Sequence, residues 1–249
     1  MGTMQWLVHF QNSTARKREF DFSRPLELEP FQREPLLQAL SFFHRAINTP
    51  GIDLRTKIRK SAPDEYVRSV DLYVREKGVH AELLAQLIWR LEGEPARRNL
   101  PDFMFRRLRR RLPWQQELAV LLTGEIVMVP VLRVIANTVS DPLTKEVIQS
   151  VLADQAFHIG FHLEHLKQEL RGLSSLGNVA MQSVWAGFFS SMLGVLLTEC
   201  HDMFDALGYS RLTCWTDAWH LFAQVQVGLN GSNHLNPVLM HDGRLRFAL

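Results

Sequence analysis

The chain has 249 residues, 46% of them apolar and 22% charged. Those proportions belong to a globular protein with a sizeable core and exclude a disordered, fibrous or collagen-like chain. Lys plus Arg number 28 against 26 Asp plus Glu, which gives no global reason to expect nucleic acid or an anionic membrane as a partner.

The two cysteines, Cys200 and Cys214, are too few for a disulfide framework or a zinc cluster and fit a reducing compartment. The opening stretch MGTMQWLVHFQNSTARKREF lacks the basic-then-apolar order of a leader. No apolar run is read as reaching the roughly 18 residues of a bilayer span. The longest, 184–198, contains Ser190 and Ser191 and stops at Glu199. These features predict a cytoplasmic protein.

In chain order, residues 1–25 alternate loosely (Trp6, Val8, Phe10) and then turn polar, which predicts a short strand or an extended arm. From residue 32 the period becomes helical: Leu36, Leu37, Leu40, Phe43, Ala46 and Ile47 recur until Pro50-Gly51, predicting a helix over 32–48. A second helix starts near Pro63-Asp64, carries Val67, Val70, Val74, Leu84, Leu87 and Ile88 on one face, and stops before Gly93 and Pro95. Residues 94–113 form an arginine-rich connection. The third helix, 114–139, is nearly continuously apolar and therefore central, with Pro130 expected to kink it. Ser140-Asp141-Pro142 caps a fourth helix over 142–171. Helices over 178–206 and 211–229 follow, separated by Gly208. The tail from 231 shows no period, and no strand is expected after residue 25. The expectation is an all-α protein in one domain: an arm (1–30), an antiparallel four-helix bundle (31–172), additional C-terminal helices (173–230) and a tail (231–249).

One carboxylate stands inside the apolar run of the third helix: Glu125, in LLTGEIVMV. Burying it is costly unless it has a partner. The second helix carries Glu76-Lys77-Gly78-Val79-His80, and the fourth carries Asp154-Gln155-Ala156-Phe157-His158. Each places an acid one turn before a histidine. In a bundle, two E-x-x-H motifs and a Glu from each remaining helix hold a pair of metal ions. Here Lys77 and Gln155 stand three before the histidines, where those glutamates would be.

The segments YVREKGVHAELLAQLI, FRRLRRRLPWQQELAVLLTGEIV and DPLTKEVIQSVLADQAFHIGFH, over roughly 35–170, resemble the ferritin-like di-iron oxidases and oxygenases. The resemblance implies a ferritin-like four-helix bundle. It also implies that His80, Glu125 and His158 stand at ligand positions, with Lys77 and Gln155 in place of the two bridging carboxylates. Ile47 aligns with the glutamate of the first helix. The retained set sums to zero charge, and an ammonium beside a divalent ion is repelled by several kcal/mol at an effective dielectric of ~20. Lys77 is instead expected to satisfy Glu125 in a buried pair, with Gln155 bonded to both. Asp154 is expected to orient a histidine from the outer shell, and Glu76 to be solvated. His44 could replace the missing first-helix ligand, and His162 could line the same cavity.

The resulting expectation is a degenerate di-iron site without metal cofactor. The protein would be a non-redox biosynthetic enzyme acting on a small hydrophobic or acyl-type substrate, free or carrier-attached. Lys77 and Glu125 would be its acid and base, and His80, His158 and Gln155 would orient the substrate. One alternative is an iron- or manganese-dependent oxidase or oxygenase that uses His80, Glu125 and His158 as ligands. Another is a non-catalytic scaffold or partner subunit. A homo-oligomer is compatible with each.

The seven arginines Arg97, Arg98, Arg106, Arg107, Arg109, Arg110 and Arg111, interleaved with Phe103, Met104 and Phe105, fit a solvated loop anchored by its aromatic rings better than an acidic partner's dock. Phe188, Phe189, Met192, Met203, Phe204, Trp215 and Trp219 read as core or an oligomer face, and both cysteines as structural.

Overall fold

A computed structural model describes residues 3–15, 19–48, 52–59, 62–95, 107, 110–170, 174–230, 236–239 and 245–248. Among them the chain forms nine helices and one short hairpin. The helices are α1 (Thr3–Ala15), α2 (Pro30–Ile47), α3 (Ile52–Ile58), α4 (Asp64–Arg90), α5 (Trp114–Thr138), α6 (Pro142–Glu169), α7 (Ser175–Glu199), α8 (His201–Ala206) and α9 (Arg211–Asn230). The strands are β1 (Asn236–Leu239) and β2 (Leu245–Ala248), antiparallel, with Asn236 opposite Ala248 and Leu239 opposite Leu245. The fold is all-helical apart from that hairpin, and α2, α4, α5, α6 and α9 match the predicted helices.

Several expectations are corrected. The first segment is a helix, because Trp6, Leu7 and Phe10 bury one helical face while Val8, which a strand would put on their side, is exposed. The helix predicted over 178–206 divides at Cys200 into α7 and α8. The tail carries strands of four residues, too short to show a period of two. Two helices, α5 and residues 176–199 of α7, are long and apolar enough by length and composition to cross a membrane. The expectation that no run reaches that length rests, for α7, on Ser190 and Ser191, which the average hydropathy of the helix absorbs. The best window of α5 is mostly buried within the protein and that of α7 mostly exposed.

Contacts divide the chain into two compact units, residues 1–26 with 36–117 and residues 27–35 with 118–249. In the first unit, α1 lies along α4: the Phe10 and Tyr73 rings meet edge to face at 6.3 Å, and the Ser13 hydroxyl donates to the Glu76 carboxylate. Glu76 is therefore buried and bonded, where the sequence reading left it in solvent. Arg55 of α3 pairs with Asp71 of α4, and Lys57 reaches the fully buried Glu117 at 2.6 Å. Acidic Asp64 and Glu65 open α4 and Arg90 closes it, which suits the helix dipole. The helix ends with Glu92 in the left-handed region (φ 58°), its N–H on the Trp89 carbonyl and the Gly93 N–H on the Ile88 carbonyl. A Cβ on Gly93 would come within 2.3 Å of the Leu37 side chain, so a larger residue there requires Leu37 to shift.

In the second unit α5 is the core helix, burying Leu122, Ile126, Val131, Leu132 and Ile135 among others. Arg133 pairs with Asp217, tying α5 to α9. The Trp185 indole N–H of α7 donates to the Thr123 hydroxyl at 2.7 Å, tying α7 to α5. Phe189 stacks on Phe222 at 4.2 Å, and Trp185 and Trp219 meet Phe222 edge-on. Asp141 starts α6 as predicted: its Oδ2 accepts the Thr144 N–H at 2.8 Å, and Pro142 takes the first turn. Its Oδ1 accepts the Glu27 N–H at 3.1 Å, while Ser140 Oγ donates to the Glu27 carbonyl at 2.8 Å.

Candidate functional site: a buried Glu125–His158–Gln155 cluster

Three of the predicted site residues come together in the second unit. Glu125 lies on α5, buried with 3% exposure; Gln155 and His158 lie one turn apart on α6, both fully buried. The Gln155 Oε1 stands 3.1 Å from His158 Nδ1. The Glu125 Oε2 stands 3.8 Å from the same nitrogen, close enough for charge and too far for a hydrogen bond. An amide oxygen can only accept, so the ring donates through Nδ1 and the lone pair is placed on Nε2. The acceptor at Nδ1 is thus Gln155, three residues earlier, in the orienting role assigned from the sequence to Asp154. Asp154 itself is buried.

His162 and His165 continue the same buried face of α6, one and two turns beyond His158. His165 Nδ1 donates to the Phe161 carbonyl at 2.8 Å. Burial pushes the His165 pKa below its ordinary 6.5, against that hydrogen bond and the nearby Glu164 charge. The Phe161 ring packs against both histidines, at 5.3 and 4.7 Å. Sequence reasoning missed the Thr123–Trp185 bond, which anchors the helix two residues before Glu125. A buried indole always needs an acceptor, but nothing local says which.

The first unit holds the other predicted residues. Lys77 and His80 stand nearly one turn apart on α4, with His80 fully buried and Lys77 half-buried. On α2, Ile47 is buried and His44 half-buried; burial lowers the His44 pKa, opposed by the charge of Glu82. Arg107, Arg110 and Arg111 are exposed; Arg97, Arg98, Arg106, Arg109 and Phe103–Phe105 lie outside the described residues. Cys200 and Cys214 are buried, and burial pushes both thiols up to about 12. That makes them inert and fits the structural role read from the sequence.

The resemblance implies an iron or manganese pair, and the residues do not fit one. Among the described residues no group of three or more His, Cys, Asp or Glu is gathered as a metal site. Gln155, which the resemblance sets in place of a bridging carboxylate, offers a neutral amide whose oxygen is turned to His158 Nδ1. Comparison with protein-family models, curated proteins and solved structures finds no match to this chain.

Proposed function

We propose that the protein is a ferritin-like helical enzyme that moves a proton on a small hydrophobic or acyl-type substrate without redox chemistry, with His158 as base and Glu125 as its counter-charge. The observation that carries this reading is the buried imidazole with Gln155 Oε1 at 3.1 Å and Glu125 Oε2 at 3.8 Å from one nitrogen. The amide fixes the ring so that Nε2 takes the proton. The imidazolium that forms is stabilised by the carboxylate, in surroundings where the pair interacts strongly. Glu125 cannot itself be the first acceptor of the ring hydrogen at 3.8 Å. Its role differs in this from the acid/base partnership with Lys77 expected from the sequence. The buried residues of α5 and α6 are largely Val, Ile, Leu and Phe, which supports an apolar or acyl-type substrate.

The test is solvent exchange. The protein, treated with chelator and kept anaerobic, is incubated in heavy water with a panel of acyl thioesters and free acids. Deuterium appearing next to the carbonyl is then read by mass spectrometry. Wild type is expected to exchange a subset of the panel. His158→Ala should lose exchange, and Glu125→Gln should lower it by about 10²-fold, the usual worth of a positioned acid/base group. Lys77→Ala in the same assay checks the sequence-based role of that residue. Oxygen consumption that appears only with added Fe(II) or Mn(II) would replace this reading with the oxygenase. No exchange and no oxygen consumption, with fold intact, would leave a scaffold.

A further inference from the structure

We infer that His162 and His165 carry protons between the buried His158 and the solvent at the end of α6, so that the imidazole row 158–162–165 is the proton path of the site. That path rests on the reading of His158 as a base and deepens it. A base that is fully buried must send the proton it takes to water before it can act again. His162 and His165 act through His158 and not on the substrate. Four histidines are buried among the described residues, and three of them fall between residues 158 and 165 of α6.

At about 100° per residue, the three stand within about 60° of one another around the helix. They form a narrow stripe, with successive Cβ atoms about 5–6 Å apart. Imidazoles at that separation pass a proton directly or through one water. The stripe runs from the interior outward. His158 and His162 are fully buried, His165 is 5% exposed, and Glu169, one turn further along the same stripe, is exposed. A helix side that only filled the core would carry apolar side chains, as Ile159, Leu163 and Leu166 do elsewhere on α6. An imidazole there costs solvation that packing alone does not return.

The two ends of the row are held in the same way. His158 Nδ1 stands 3.1 Å from the Gln155 Oε1, and His165 Nδ1 stands 2.8 Å from the Phe161 carbonyl. Both acceptors belong to α6 itself, three and four residues earlier. An amide or carbonyl oxygen only accepts, so in each ring Nδ1 keeps its hydrogen and Nε2 takes and gives the mobile proton. His158 Nε2 hands a proton to His162, His162 releases one to His165 Nε2 for each it receives, and His165 Nε2 gives it to water. One proton leaves and no charge stays behind. Burial holds His165 below the ordinary 6.5, so an imidazolium formed there gives up its proton readily. The Phe161 ring packs against His162 at 5.3 Å and His165 at 4.7 Å, which confines both rings to the stripe. Asp154, buried one turn on the other side of His158, is the competing way out.

The experiment needs no substrate. The full chain, treated with chelator and isotope-labelled in its histidine rings, is held at the midpoint of the His158 titration. The rate at which His158 gains and loses its proton is read by NMR relaxation dispersion. His162→Gln keeps a polar side chain that carries no proton, and it should slow the rate by about 10²-fold, the low end for a positioned proton-transfer group. His165→Gln should slow it as well, and Asp154→Asn should not. His162→Ala leaves room for a free ring. Added imidazole should then restore the rate, whereas pyrazole, of the same shape but too weak a base to hold a proton near neutrality, should not. A His162 that only filled space would be replaced equally by either. Rates unchanged in both His162 variants with the helical circular dichroism spectrum intact, slowing by Asp154→Asn instead, or equal rescue by pyrazole would overturn the inference. So would a wild-type His158 that takes up no proton between about pH 5 and pH 8. If wild type exchanges no substrate deuterium while His162→Gln still slows His158, the enzyme reading fails and the path stands.

Discussion

Glu117 and Glu125 are both buried carboxylates on α5, two turns apart, and they differ in what faces them. Glu117 meets the Lys57 ammonium at 2.6 Å, a permanent charge at neutral pH, and the pair is a structural tie. Glu125 faces the His158 imidazole, which carries charge only when protonated. The contrast predicts opposite phenotypes. Lys57→Met strands a buried charge and should lower stability in urea by about 1–3 kcal/mol, with little effect on proton exchange. Glu125→Gln should leave the urea midpoint nearly unchanged and reduce exchange. His165 adds a pH dependence. Burial holds its folded pKa below 6.5, so below that pH the unfolded chain takes up a proton that the folded chain refuses. The stability it contributes is complete above pH 6.5 and is lost as pH falls from there towards the lowered folded value. Urea midpoints at pH 7.5 and 5.5 check the sign, and His165→Gln should shrink the difference. At this scale the sequence was informative where the signal is local. Glu125 stood out as a lone acid in an apolar run, and Gln155 stood at the spacing that reaches His158. The Thr123–Trp185 and Ser13–Glu76 bonds join residues more than sixty apart, and no local pattern announces them.

The ends of two helices show the same hydrogen-bond solution built from different residues. After α8, Gly208 adopts φ 63°, its N–H on the Asp205 carbonyl and the Tyr209 N–H on that of Phe204. After α4, Glu92 occupies the equivalent left-handed position. A glutamate there carries a steric cost that glycine avoids. Glu92→Gly should therefore raise stability by about 0.5–1 kcal/mol and Gly208→Ala lower it by about 1 kcal/mol, both read from thermal unfolding. Gly208 was legible as a separator of helices. Glu92 was not, because the sequence signal points to Gly93, whose constraint is the Leu37 side chain instead. The long helices were legible because their apolar residues repeat through several turns. α1 was misread because Trp6, Val8 and Phe10 also satisfy an alternating pattern over its short length, and only the exposure of Val8 separates the two. α3, with seven residues, offers under two turns of pattern.

For the whole molecule, the all-helical class was legible from the periods, with six helices expected where nine are seen among the described residues, because α1 and α3 are short and α7 and α8 join at Cys200. The shared use of Asp141 reaches further. One oxygen starts α6 and the other holds the Glu27 amide, 114 residues earlier in the chain. During synthesis residues 27–35 leave the ribosome long before the aspartate that receives them, so that short stretch must wait, uncommitted, while everything up to α5 is made. Any fragment ending before Asp141 carries an amide with its acceptor not yet translated, and the order of translation, rather than the order of contacts, decides when the second unit can close.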